Sequence, residues 1–420
     1  MSFNFCDAGP EKAALPAAGV AGFLALMPIF MVLAPSPTGV LAPLTALIFL
    51  GCYWRQLPMD RLLKAPPTIG LILLALWGLA SALWACNASM AASKALAFLA
   101  VSLPLLWLTL VPQASNTALA AKGFIVGLLI AAALLAGQTY SDTLLRGSLP
   151  GARVVLAAIK LNVPAAALVV SCWLLPQASA HLSRPWRWAA GLAWLLVGWA
   201  VFAGDGSAPR LGFIVGGLTL AFSRFCPRAA IVLLVASVLV AHISAPLLGS
   251  SELAQKVFQP MSWRHRMDIW QLAGRLIAER PLLGYGFGNS GEIPALPGRL
   301  PLTHLRAAMP LYPHNVLLQA QLDLGVLGAV AFYSCFGYLL RCLWRLPRAV
   351  QASGVAVIAA ALSVWCVGYP LWRAAGVAWL YVTALAFQAT RQAPGSAAAT
   401  TRPEPLVLPL SRAPRISATG

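Results

Sequence analysis

The residues of this chain best suited to chemistry are arginines and a histidine that stand at the edges of long apolar stretches. Arg210 opens one such stretch in the segment PRLGFIVGG, and His314 directly precedes another in YPHNVLLQAQLDLG. The planar guanidinium of arginine donates paired hydrogen bonds to phosphate oxygens and stays charged. Histidine, whose unperturbed pKa is about 6.5, can accept a proton at neutral pH. These residue types indicate binding of a phosphate-bearing molecule with proton transfer beside it.

Further basic residues are expected on the same side of the membrane as this pair. They are Arg146, Arg153, Arg264 and Arg266, with His265 and His304 as additional proton acceptors. Each arginine has an alternative role, because a long cationic side chain at a membrane edge often extends to lipid headgroups. Taken alone, His314 fits a helix-capping or interface histidine better than a proton acceptor. The sequence leaves open whether His265 and His304 share the work of His314.

The elements that position these residues are membrane-spanning helices. Hydrophobic residues make up 60% of the chain, charged residues only 10%, and the mean hydropathy is +0.79. Soluble domains carry about 25% charged residues, so the chain is predicted to be an all-α, polytopic integral membrane protein. Twelve apolar stretches are candidate spans: 15–34, 39–54, 67–86, 95–112, 123–140, 155–176, 188–204, 211–225, 229–248, 315–340, 350–369 and 371–390.

The distribution of basic residues supports twelve spans with both termini in the cytoplasm. With this topology the cytoplasmic segments hold sixteen basic residues and the short outer loops hold five, as the positive-inside rule requires. That rule accounts for much of the net charge of +18, so no nucleic-acid partner is expected. The chain divides into nine spans (1–248), a long outer loop (249–313), three further spans (314–390) and a disordered cytoplasmic tail (391–420).

The outer loop has an ordered pattern. Apolar residues recur at helical spacing over 267–279, which predicts an amphipathic helix that ends before Pro281. Gly284, Gly286 and Gly288 follow in a tight turn that neither follows a strand nor opens a βαβ unit, so it is not a dinucleotide-binding motif. The outer loops contain no Asp-x-Asp pair and the chain no Walker sequence. Acidic residues are nearly absent from the predicted spans, with Asp323 as the main exception, and this scarcity disfavours ion-coupled transport.

The loop and the start of the next span carry a family resemblance. The segments RMDIW (266–270), ERPLLGYGFG (279–288) and His-Asn (314–315) before Gly325 and Gly328 resemble the O-antigen ligase and polymerase superfamily of bacterial envelope glycan-transfer proteins. The similar motifs cover about 65 residues, and the twelve-span topology agrees along most of the chain. The order Asn-Val-Pro at 162–164 departs from the Pro-Asn order of the family, so acceptor specificity does not follow from the resemblance.

The resemblance implies a multi-pass, GT-C-like glycosyltransferase of the bacterial inner membrane with its site facing the periplasm, independent of metal and cofactor. Its partners would be membrane lipids, an O-antigen glycan on undecaprenyl diphosphate, and lipid A-core oligosaccharide as acceptor. A ligase is favoured over an O-antigen polymerase because one outer loop dominates. Protein O-oligosaccharyltransfer also stays open, as does a flippase that moves the lipid-linked glycan without altering it.

The resemblance also implies roles for individual residues. Arg210 and Arg266 would neutralise the leaving diphosphate, and His314 would act as the general base. Further diphosphate contacts would come from Arg146, Arg153 and Arg264. The predicted sugar contacts are Trp270, Tyr285, Tyr312 and Asn315, although aromatic residues at this depth also form interfacial belts.

Overall fold

The computed structural model describes residues 15–111, 117–140, 161–204, 206–250, 261–294 and 310–391. These segments are helical, joined by turns and short 3₁₀ segments. In chain order the α-helices are α1 (Ala17–Leu33), α2 (Pro35–Cys52), α3 (Met59–Lys64), α4 (Pro66–Ala80), α5 (Ala88–Leu110), α6 (Thr117–Tyr140), α7 (Asn162–Cys172), α8 (Leu175–Ser179), α9 (Arg184–Ala203), α10 (Ser207–Ser223), α11 (Pro227–Ser250), α12 (Met261–Glu279), α13 (Val316–Trp344), α14 (Arg348–Trp365) and α15 (Ala374–Thr390).

Each of the twelve predicted apolar stretches contains a helix, which confirms a helical membrane protein. Within the described residues, eight helical segments are long and apolar enough to cross a membrane, and α1, α7 and α15 are shorter apolar helices. The number of spans stays a prediction. Arg146, Arg153 and most of the predicted tail lie outside the described residues.

Small residues let the helices of the large apolar core approach closely. Gly123 and Gly127 of α6 lie on the backbone of Ala21 and Ala25 of α1, where an added Cβ would stand 2.3 and 2.4 Å from the two alanine carbonyl oxygens. Membrane helices use such four-residue spacing of small residues because packing, not hydrophobic burial, drives their association.

The amphipathic helix predicted for the outer loop is α12, which begins six residues earlier than the predicted 267–279 and ends before Pro281, as expected. Its apolar face is buried against α11 and α13. Ile269, Ala273 and Leu276 are fully enclosed, in one cluster with Leu318 and Leu322 of α13. This packing places the start of α12, where Arg266 lies, near the start of α13, where His314 lies.

Candidate functional site

The turn between α14 and α15, residues 366–373, brings together residues that are far apart in the sequence. Arg266 of α12 donates a hydrogen bond from Nε to the carbonyl oxygen of Val367 at 2.6 Å. Tyr312 donates from its hydroxyl to the carbonyl oxygen of Gly368 at 3.2 Å. Two predicted site residues are therefore anchored on adjacent carbonyls of one turn, which we call the α14–α15 turn.

His314 lies beside this pair in an unusual backbone conformation. Its ring centroid is 4.3 Å from that of Tyr312, and its φ of +53° lies in the left-handed region that few non-glycine residues occupy. The following residue, Asn315, is the N-cap of α13, and its side-chain oxygen accepts hydrogen bonds from the amides of Leu317 and Leu318. Backbone strain of this kind occurs mostly at functional sites, where the surrounding structure maintains it.

Burial and charge keep the His314 ring neutral. Its pKa is lowered from 6.5 to about 4. Burial is the largest cause, electrostatic interactions with Arg266 and His265 act in the same direction, and a hydrogen bond with the Gly368 carbonyl acts in the opposite direction. Nδ1 is buried and meets no hydrogen-bond partner among the described residues. Burial also lowers the pKa of Arg266, yet an arginine remains charged in proteins. The site thus pairs a neutral imidazole with a permanent cation.

The α14–α15 turn is itself held by one face of α13. Gln319 accepts a hydrogen bond from the amide of Leu371 at 2.8 Å, and Asp323 accepts one from the indole nitrogen of Trp372 at 2.7 Å. Together with Asn315, these polar residues recur every four positions, so they share one side of the helix. On this face Asn315 caps α13, and Gln319 and Asp323 hold the α14–α15 turn.

The glycine-rich turn that follows α12 packs against a break in α13. The amides of Tyr285 and Gly286 donate to the carbonyls of Leu322 and Asp323, both at 2.9 Å, and the amide of Val326 donates back to the carbonyl of Pro281 at 2.8 Å. Positive φ angles occur at the glycines of both segments: Gly284, Gly286, Gly288 and Gly325. The glycines of the sequence motif therefore allow the backbone of the glycine-rich turn to pack directly against the backbone of α13.

Arg210 is engaged in a different place. It donates from Nε to the carbonyl of Val201 at 3.4 Å and from Nη2 to the carbonyls of Phe202, at 3.2 Å, and Gly204. A cation at these carbonyls stabilises the C-terminal end of α9.

The start of α7 is connected to the α14–α15 turn. The Tyr369 hydroxyl donates a hydrogen bond to the backbone carbonyl of Asn162.

The predicted sugar contacts divide into two groups. Trp270 and Tyr285 are only 7% and 4% exposed, and the Tyr285 hydroxyl donates to Glu279 at 2.9 Å. Both rings are packing residues here, and stacking on a sugar would require them to move. Tyr312 is more accessible and lies at the site, whereas the side chain of Asn315 is used by the helix cap. Arg264 is exposed on α12.

The structure adds residues that sequence reasoning did not assign. Tyr369 and Arg373 belong to the α14–α15 turn. Burial raises the Tyr312 pKa, and the charge of Arg373 partly offsets this rise. The segment YPLWR, at the end of an apolar stretch, was the feature of the sequence that could have indicated these two residues.

His265 affects His314 through its charge, and His304 lies outside the described residues. Within the described ranges, no three His, Cys, Asp or Glu side chains gather as a metal site.

Comparisons with known proteins find similarity to polysaccharide ligases over part of the chain. A family model described as O-antigen ligase matches residues 151–333, the part of the chain that contains Arg210, Arg266 and His314. A Rickettsia conorii protein provisionally named polysaccharide ligase is 30% identical over 151 residues, which are 34% of this chain and 36% of that protein. A Rickettsia prowazekii protein with the same provisional name is 31% identical over 157 residues, or 35% and 38% of the two chains.

The chain thus spans little more than a third of the length of the curated relatives it matches. The matched region nevertheless includes α12, the glycine-rich turn and the start of α13, which carry the motifs noted in the sequence. Residues 151–333, a little under half of the chain, are therefore similar to the O-antigen ligase family.

Proposed function

We propose that this protein is a glycosyltransferase of the O-antigen ligase type. It transfers an O-antigen glycan from undecaprenyl diphosphate to a sugar hydroxyl of lipid A-core oligosaccharide, at the periplasmic face of the bacterial inner membrane. The observation that carries the proposal is a neutral, strained, half-buried histidine, His314, next to a half-buried arginine, Arg266, within the region that matches the family. The apolar helices and the ligase names of the relatives support it.

His314 acts as the general base in this proposal. Its neutral ring accepts the proton of the acceptor hydroxyl while that oxygen forms a bond to the anomeric carbon of the donor sugar. The bond from this carbon to the diphosphate oxygen breaks, and the electron pair leaves with the diphosphate. Arg266 stabilises the negative charge that develops there. Attack from the face opposite the diphosphate inverts the anomeric centre, without a metal ion or cofactor.

Donor binding would strengthen this base. The charge of Arg266 is one of the causes that hold the His314 pKa near 4. An anionic diphosphate beside Arg266 would offset that charge and raise the His314 pKa toward the range in which a base works well at neutral pH. The histidine would then become a competent proton acceptor when the donor is in place.

The remaining predicted diphosphate contacts are Arg210, Arg264, Arg146 and Arg153. Because Arg210 also holds the carbonyls at the end of α9, its replacement by alanine would remove a helix cap together with any phosphate contact. Arg210→Lys is therefore the better test, since lysine keeps the charge at the helix end and loses the planar fork that binds phosphate.

The test combines purified protein, undecaprenyl-diphosphate-linked glycan and lipid A-core in the presence of a chelator, with lipopolysaccharide mobility as the readout. We expect glycosylated lipid A-core with the wild type, and none with His314→Ala or Arg266→Ala. His181→Ala is the matched control, because this histidine is exposed between α8 and α9.

Other outcomes would refute the proposal in defined ways. Longer lipid-linked glycan chains with unmodified lipid A-core would identify an O-antigen polymerase. Glycosylated serine or threonine in an added protein acceptor would identify a protein O-oligosaccharyltransferase. Movement of labelled lipid between vesicle leaflets without transfer would identify a flippase. Full transfer by His314→Ala would show that the base is another residue.

A further inference from the structure

Asp323 is a carboxylate enclosed within a helix that is apolar enough to span a membrane. It is 0% exposed. Its Oδ1 accepts a hydrogen bond from the Ser290 hydroxyl at 2.6 Å, and its Oδ2 accepts one from the Trp372 indole at 2.7 Å. Ionisable groups in apolar segments are costly and are retained where they have a function, so this residue requires an explanation.

The two partners of Asp323 belong to two different loops. Ser290 follows the glycine-rich turn, and Trp372 belongs to the α14–α15 turn. The loops also contact each other directly, because the rings of Phe287 and Trp372 pack with their centroids 4.2 Å apart. Lys94 of α5 supports the first loop by donating to the carbonyl of Gly288 at 2.6 Å. Asp323 therefore links both loops to α13.

A short path leads from Asp323 to the proposed reacting groups. The α14–α15 turn, which Trp372 attaches to Asp323, presents the carbonyls of Val367 and Gly368. Those carbonyls accept hydrogen bonds from Arg266 and Tyr312, and Tyr312 packs on His314. A displacement of the turn would therefore shift the base and the cation together.

We propose that Asp323 is a positioning residue of the transfer site, which acts on Arg266 and His314 through the α14–α15 turn. This inference rests on the proposed function. A carboxylate suits the position because it accepts from two donors at once. An apolar residue of similar size would leave the buried Ser290 hydroxyl and the half-buried Trp372 indole without this acceptor.

Two substitutions distinguish positioning from packing. Asp323→Asn keeps both links, because its amide oxygen can accept from Trp372 and its amide nitrogen can donate to the Ser290 hydroxyl. Asp323→Leu has a similar size and keeps neither link. We expect the kcat of transfer to fall about 100-fold for the leucine variant with little change in KM, and the asparagine variant to recover most of it.

A matched control removes a buried hydrogen bond away from the site. Thr383→Val eliminates the 2.8 Å contact between the hydroxyls of Ser171 on α7 and Thr383 on α15. We expect it to lose stability as Asp323→Leu does, while its kcat stays at the wild-type value. A wild-type kcat for Asp323→Leu in folded protein would overturn the proposal.

A double-mutant cycle tests the route. If Asp323 acts through Arg266, then Asp323→Leu should reduce kcat far less in an Arg266→Lys background than in the wild type. Reductions that multiply independently would overturn the route through the turn.

A second cycle does not depend on transfer. The losses of melting temperature for Asp323→Leu and Trp372→Phe should be less than additive, because both remove the same hydrogen bond. Additive losses would show that this link carries no energy and would also overturn the positioning role. If the two losses of melting temperature are less than additive but the protein transfers no glycan, the proposed function is refuted and the link between Asp323 and Trp372 is retained.

Discussion

Replacement of Gly325 by alanine tests the docking contact on which the site rests. Gly325 has φ +64° and ψ −172°, a region that is nearly restricted to glycine and costs other residues about 1–3 kcal/mol. An added Cβ would lie 2.1 Å from the carbonyl oxygen of Leu282 and 2.5 Å from the amide nitrogen of Leu283. These neighbours are backbone atoms, so they cannot rotate away as a flexible side chain could.

The clash must separate the glycine-rich turn from the break in α13. The hydrogen bonds at risk include those from Gly286 to Asp323 and from Val326 to Pro281, and each contributes about 1 kcal/mol. Strain and lost bonds together lower the free energy of unfolding by about 3–5 kcal/mol. For a chain of this length, the loss corresponds to a decrease in melting temperature on the order of 4 °C.

The same helix offers a control in Gly337→Ala. An added Cβ at Gly337 meets nothing within 4 Å, and alanine favours a helix over glycine by up to about 1 kcal/mol. Thermal unfolding in detergent, followed by tryptophan fluorescence, should show Gly325→Ala below the wild type and Gly337→Ala at or above it. Equal melting temperatures for the two variants would refute the reasoning, and a stable Gly325→Ala protein with normal transfer would separate the docking contact from the site.

Two further predictions concern the charge state of His314. Arg266→Gln removes a nearby cation and should raise the His314 pKa. The acidic limb of the pH–rate profile should therefore move to higher pH, and the maximal rate should fall. An acidic limb at an unchanged pH would contradict coupling between the two residues. The folded pKa of about 4 lies below the unfolded value of 6.5, so the unfolded chain binds more protons between these pH values. The melting temperature should therefore fall as pH decreases from 6.5 to 4, more steeply for the wild type than for His314→Gln, and parallel curves would contradict the burial of a neutral ring.

Much of the architecture follows from local patterns in the sequence. Twelve apolar stretches each contain a helix, because the length and hydropathy of a segment govern whether it can be helical in a membrane. The apolar face of α12 was readable from its 3.6-residue period, which put Ile269, Ala273 and Leu276 on one side. The choice of Arg266 and His314 as site residues followed from motif resemblance. The family match confirms that resemblance, and the roles of the two residues stay a prediction.

Tertiary structure decided the partners of these residues. Arg210 and Arg266 have the same chemistry in the sequence, but the first holds the end of α9 and the second the α14–α15 turn. Trp270 and Tyr285 were candidates for sugar stacking, and their rings are covered by neighbouring helices. Contacts between distant segments decide which surface of a helix is covered. Local hydropathy and residue spacing therefore do not predict it.

The sequence by itself determined a helical membrane protein, the amphipathic loop helix, and a set of arginines and a histidine suited to a diphosphate leaving group and proton transfer. These features depend on residue types and on spacing within one segment. The tertiary structure alone decided that Asp323 links two loops and that the break at Gly325 receives the glycine-rich turn. It also decided that the His314 ring is neutral, because burial and a cation from another helix lower its pKa.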